Sequence, residues 1–101
     1  MPVKSRKLIA FLDELRKNLK EGGVIEFFRG YTAIRPKTGS RKETSMVTID
    51  SVTIFAQQYI GIWLKVKKTG YSIAIVYDDI YYIVVVYHRG QEVERFKVKR
   101  K

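Results

Sequence analysis

The chain has 101 residues, 46% hydrophobic and 30% charged, enough apolar material for one globular domain and too little length for two independent cores. Twenty Lys and Arg against ten Asp and Glu give a net charge of +10, which favours polyanionic partners: nucleic acid, either DNA or RNA, an acidic protein or an anionic membrane surface. The lack of cysteine excludes disulfides, thiol catalysis and cysteine-ligated metals, and the single histidine, His88, excludes a His-pair metal site.

From residue 5 to about 21, Leu8, Phe11, Leu12, Leu15 and Leu19 recur at three- and four-residue intervals, the spacing of one apolar helical stripe. Ser5 is placed to cap this helix, and Gly22 and Gly23 to end it. Its outer face alternates sign through Asp13, Lys17 and Glu21, as a solvated surface does rather than a helix that reads DNA.

Beyond Gly23 the period changes to two and β-branched and aromatic residues dominate. Strands are expected at 24–34, 45–55, 59–67, 71–77, 80–88 and 92–99, with links too short for crossover helices, so the sheet is antiparallel. Lys68-Thr69-Gly70, Asp78-Asp79 and Arg89-Gly90-Gln91 mark turns and make the last four strands a meander. Residues 36–44 read as a mobile basic loop. The fold class is therefore α+β: one N-terminal amphipathic helix on a twisted antiparallel sheet of about five or six strands, curved toward a half-barrel.

The strand at 80–88 is apolar on both faces and is expected in the middle of the sheet, covered on both sides. One helix covers one face, so the other calls for curvature or a second subunit, and a homodimer is among the expectations.

The positive charge is clustered. Arg29, Arg35, Lys37, Arg41 and Lys42 occupy the end of the first expected strand and the loop, while Arg95, Lys97 and Lys99 alternate along the last strand and so share a face. On 59–67 the same alternation sets Trp63, Lys65 and Lys67 opposite Ile62, Leu64 and Val66. An exposed tryptophan beside lysines suits stacking on unpaired bases while the ammonium groups neutralise phosphates. Two other readings stand beside this one: Trp63 filling a second small core or dimer interface, and the basic row guarding an edge strand against aggregation.

Chemistry-bearing patterns are few. A metal nuclease needs convergent carboxylates, and only Glu26 and Asp50 fall within strands that bring them near each other. Gly39-Ser40-Arg41-Lys42 lacks the P-loop spacing, so no cofactor is expected. The longest apolar run, eight residues at 80–87, is too short for a membrane span. Asp13 and Glu14 interrupt the apolar N-terminal stretch, unlike a secretory signal, and the expected compartment is the cytoplasm. A single asparagine, no cysteine and abundant Lys, Arg, Ile, Val and Tyr match proteins of hot habitats.

The stretch from Ile75 through Asp78-Asp79 to His88-Arg89-Gly90-Gln91-Glu92-Val93 resembles the last hairpin of RelE/ParE-type toxins, in which a strand ends in a His-Arg pair followed by an acidic residue. Membership would imply ribosome-dependent mRNA cleavage by basic residues, or gyrase inhibition. The likeness covers about 20 of the 101 residues, and those toxins open with a strand and two helices where this chain has one helix and a long strand-like stretch. The leading expectation is a non-enzymatic, largely sequence-independent nucleic-acid-binding protein, gripping phosphates through Arg35, Lys37, Arg41, Lys42, Lys65, Lys67, Arg95, Lys97 and Lys99, with Trp63 as a stacking platform. The alternative is a protein-interaction role, such as a viral accessory or inhibitor protein.

Overall fold

Helix α1, Arg6–Lys20, begins where the Oγ of Ser5 accepts the N–H of Leu8 at 3.3 Å. It ends at Gly22, whose φ of 81° lies in the left-handed region that glycine enters without steric cost. The structure, a computed structural model, describes residues 3–22, 24–28, 31–35, 42–44, 47–56 and 60–100, with the backbone alone for the three segments between 24 and 44.

Eight strands follow: β1 (Val24–Phe28), β2 (Tyr31–Arg35), β3 (Lys42–Thr44), β4 (Ile49–Ala56), β5 (Ile60–Val66), β6 (Tyr71–Tyr77), β7 (Tyr81–His88) and β8 (Gln91–Lys99). They form an antiparallel three-stranded sheet, β1-β2-β3, and an antiparallel five-stranded meander, β4-β5-β6-β7-β8. The domain is α+β. The large sheet is open, with β4 and β8 as its edges, and does not close into a barrel.

Three expectations need correction. The single strand at 24–34 is two strands, because the chain reverses between Phe28 and Tyr31, which pair with each other. Lys42–Thr44, read as the end of the basic loop, pairs with β2 as β3. The strand at 80–88 is one place in from the β8 edge, and β6 is the central strand. The apolar character of the second face of β7 arises because its side chains meet neighbours on the same sheet face rather than a second covering layer.

The core lies between α1 and one face of the large sheet. Leu8, Phe11, Leu12, Leu15 and Leu19 pack on Ile49, Leu64, Val66, Ile73, Ile75, Val84, Val86 and Val98. These sheet residues sit at alternate positions, so one sheet face is spent on the helix. Near the start of α1 the Lys4 N–H donates to the Tyr71 hydroxyl at 3.2 Å, and near its end the Arg16 guanidinium lies 4.3 Å over the Phe96 ring.

Local chemistry sets the meander's register. Arg89 and Gly90, with φ of 50° and 86°, form the two-residue link between paired His88 and Gln91, the geometry of a type I′ hairpin. Between β6 and β7 the Asp78 carboxylate accepts the N–H of Tyr81 at 2.7 Å and of Ile80 at 2.8 Å. These two backbone hydrogen bonds, Tyr81 first, hold its pKa below the ordinary value, aided by Lys97 and Arg100. The folded state therefore favours the carboxylate: the stabilisation is present above the usual aspartate pKa and is lost as pH falls through the depressed one. Asp78→Asn, which keeps an acceptor but removes the titration, is expected to flatten the acid limb of thermal stability relative to the parent, measured as melting temperature between neutral pH and pH ~3.

Candidate nucleic-acid interface

The face of the large sheet turned away from α1 carries Thr53 and Phe55 from β4, Gly61, Trp63 and Lys65 from β5, Ser72, Ala74 and Val76 from β6, Tyr81, Ile83, Val85 and Tyr87 from β7, and Arg95, Lys97 and Lys99 from β8. Strand register aligns them in rows: Thr53, Trp63, Ala74, Val85 and Arg95 in one, and Phe55, Gly61, Val76, Ile83 and Lys97 in the next. No described element covers this face, and its rings are half-buried against one another.

Small residues make the ring contacts possible. Across Ala74, Trp63 and Tyr87 stack with centroids 4.9 Å apart and planes inclined by 27°. Beside them the Phe55 ring lies over Gly61, where an added Cβ would fall 2.4 Å from the Ile75 carbonyl oxygen and 2.9 Å from Cζ of Phe55. The result is a shallow, mostly apolar concavity of about 330 Å³ lined by Phe55, Trp63, Ala74, Val76, Ile83, Val85, Tyr87 and Arg95.

Arg95 lines this concavity, Lys97 and Lys99 continue the basic row along β8 opposite Ile83 and Tyr81, and all three side chains are exposed. Arg95 forms an exposed ion pair with Glu92 at 2.6 Å. The bond depresses the Glu92 pKa and raises that of Arg95. Such a surface pair is weak and readily exchanged for another anion. The Lys97 ammonium sits 5.2 Å from the Tyr81 ring centroid, a cation–π contact on the same face. Arg100 is engaged elsewhere: its guanidinium lies 4.8 Å from the Tyr77 ring and 5.4 Å from that of Tyr82, and it donates to the Asp78 carbonyl.

Of the residues selected from sequence, the structure brings together Trp63, Lys65, Arg95, Lys97 and Lys99. Lys67 is separate: β5 ends at Val66, and Lys67 sits in the following turn, its N–H bonded to the Thr48 carbonyl at 2.8 Å. It lines a cleft at the start of α1 with Ser5, Lys7 and Thr69. The reading of Trp63, Lys65 and Lys67 on one strand face is corrected accordingly. Lys37 and Arg41 lie outside the described residues, and Arg35 and Lys42 are described as backbone alone, in β2 and β3. His88 stacks on Tyr71 at 4.3 Å on the helix side of β7, while Arg95 pairs with Val85 on the opposite face, so the two do not converge. Among the described residues no three of His, Asp and Glu gather as a metal site. None of the described helices is long and apolar enough to cross a membrane.

Sequence reasoning missed Phe55, Gly61, Ala74 and Tyr87. Their signal was present: a glycine and an alanine within strands of bulky residues mark places where a neighbour's ring lies close. Comparison with protein-family models, curated proteins and solved structures finds no match to this chain.

Gly61→Ala forces its new Cβ against backbone rather than a flexible side chain. The expected loss is about 1–3 kcal/mol, read by urea denaturation with unchanged m-value.

Proposed function

We propose that this protein binds nucleic acid non-enzymatically, through the open face of its large sheet, largely without sequence preference. The observation that carries the reading is the alignment of the exposed Arg95-Lys97-Lys99 row with the rim of the aromatic face. Alternate residues on a strand stand roughly 7 Å apart, so the row offers a ladder of cations to a run of phosphates. Contacts to phosphate supply affinity without sequence information, and neutralising them releases counterions. Lys65 adds a cation on the far side of Trp63. The sequence cluster Arg35, Lys37, Arg41 and Lys42 extends the same chemistry.

The test is fluorescence anisotropy with labelled duplex DNA, single-stranded DNA and RNA at several salt concentrations. Tight binding with log K falling steeply against log salt is expected. Lys97→Ala with Lys99→Ala should reduce the slope by roughly 1–2, as two lost phosphate contacts would. The Lys37→Ala, Arg41→Ala, Lys42→Ala variant measures the share of that segment, and an unaltered slope would remove it from the interface. No binding to any nucleic acid at low salt would overturn the proposal.

A second reading, self-association, has its own observation. Strand β8 carries Glu92, Glu94, Arg95, Lys97 and Lys99, which deter edge-to-edge pairing, whereas residues 51–56 of the β4 edge carry no charge. Beside that edge Val52, Ile54 and Ile60 are exposed, Ile54 at 78%. Antiparallel pairing of β4 with its copy would give an isologous dimer. Sedimentation equilibrium should then show a dimer that Ile54→Lys converts to monomer. A monomeric parent would remove this reading and leave the first intact.

A further inference from the structure

We infer that the concavity framed by Phe55, Trp63 and Tyr87 is a seat for one unpaired nucleobase, held while its flanking phosphates lie on the Arg95-Lys97-Lys99 row. This rests on the nucleic-acid reading above and names the substrate class within it: single strands in preference to duplex.

The chemistry of the lining argues for a flat, aromatic guest. The floor is made of small or aliphatic residues, Ala74, Val76, Ile83 and Val85, with no carboxylate or amide to demand a hydrogen bond. The rings stand at the margin, Phe55 over Gly61 and the Trp63–Tyr87 pair across Ala74. At about 330 Å³ the space is at the small end of ligand sites, a single ring system rather than an extended chain. Its one charge, Arg95, is a cation at the rim. A guest that is planar and carries an adjoining anion satisfies both features, and a nucleotide within a strand is such a guest.

The aromatic lining favours an unpaired base, because stacked bases in a duplex present no free ring face. An unstacked base can be laid on an aromatic surface, gaining free energy that is nearly independent of its identity. The indole is also pre-set. Its stack with Tyr87 limits its side-chain freedom before any guest arrives, so less is lost on binding.

Trp63 is the chain's single tryptophan, so its fluorescence reports this seat directly. The experiment titrates the full chain with a short oligothymidylate, the corresponding oligothymidylate–oligoadenylate duplex, inorganic polyphosphate and polyglutamate, following both Trp63 emission and anisotropy. Oligothymidylate should quench Trp63 and bind at least tenfold more tightly than the duplex, whereas polyphosphate should bind with a similar salt slope and leave the emission unchanged. Ala74→Leu fills the floor without touching the basic row. It should abolish the quench and weaken oligothymidylate about ten- to hundredfold, leaving polyphosphate affinity unaltered. Its fold is checked by circular dichroism, and the parent's quench decides the matter where the variant fails to fold. Equal affinity for single strand, duplex and polyphosphate with undisturbed Trp63 would overturn the base seat while leaving the nucleic-acid reading standing. Failure of every nucleic acid to bind would overturn both. A quench by polyglutamate as strong as that by oligothymidylate would overturn the base seat in favour of an acidic protein partner.

Discussion

One amphipathic helix covers one face of a five-stranded sheet, and the rest of the molecule is arranged around that one-sidedness. The leucine stripe of α1 meets Leu64, Ile73, Val84 and Val86 from the three inner strands, and all four are sealed from solvent. Burial of these side chains is the main favourable term in a domain with neither disulfide nor metal site to reinforce it among its described residues. Alternation along each strand sends every second residue to the other side, where no helix lies. Those residues must find shelter from one another.

They do so by pairing large side chains with small ones. Ala74 yields space to the Trp63–Tyr87 stack, and Gly61 yields space to Phe55. Val85, on the uncovered face, is only 6% exposed because its neighbours lie over it. This lateral packing reduces exposed apolar area without a second layer, and the same pairing leaves a depression between the rings. The small side chains that let the rings pack also create this depression, so on the proposed reading stability and recognition would share residues. A larger residue at either position would alter both.

The helix, its Ser5 cap, the five antiparallel strands from residue 49 onward and the shared face of Arg95, Lys97 and Lys99 were legible from spacing alone, because each depends on local period or turn chemistry. The reversal between Phe28 and Tyr31 was not read, although Arg29-Gly30 repeats the dipeptide that was recognised as a turn at Arg89-Gly90. The predominance of β-branched and aromatic residues on either side masked it. The position of β7 was misjudged for a related reason: apolar residues on both faces mark a strand with covered neighbours, not one at the centre. Lys67 was placed on the wrong side of a boundary of a single residue, and side-chain direction is lost where a strand becomes a turn. The concavity was illegible because it depends on cross-strand register, bringing Phe55 of β4 within reach of Tyr87 of β7 through residues separated by more than thirty positions.

Net charge alone does not locate an interface, since cations serve solubility as readily as recognition. What distinguishes the cations here is how they are held. Arg16 and Arg100 lie over aromatic rings of the strands, of which Phe96 and Tyr82 pack against the core, and Arg100 is further fixed by its hydrogen bond to the Asp78 carbonyl. Their guanidinium groups already have partners that bind them to the fold. Lys99 stands exposed on the open face, Lys97 is exposed beside the Tyr81 ring of that same face, and Arg95 is paired with an exposed glutamate three residues away. On the proposed reading an incoming phosphate would compete with water, one cation–π contact and one weak ion pair at the margin where aromatic rings stand half-covered. The electrostatic attraction acts at long range and without base preference. On the proposed reading the rings would act at contact and only on a base that has left its stack, so the first effect would concentrate a strand where the second would select its unpaired segments.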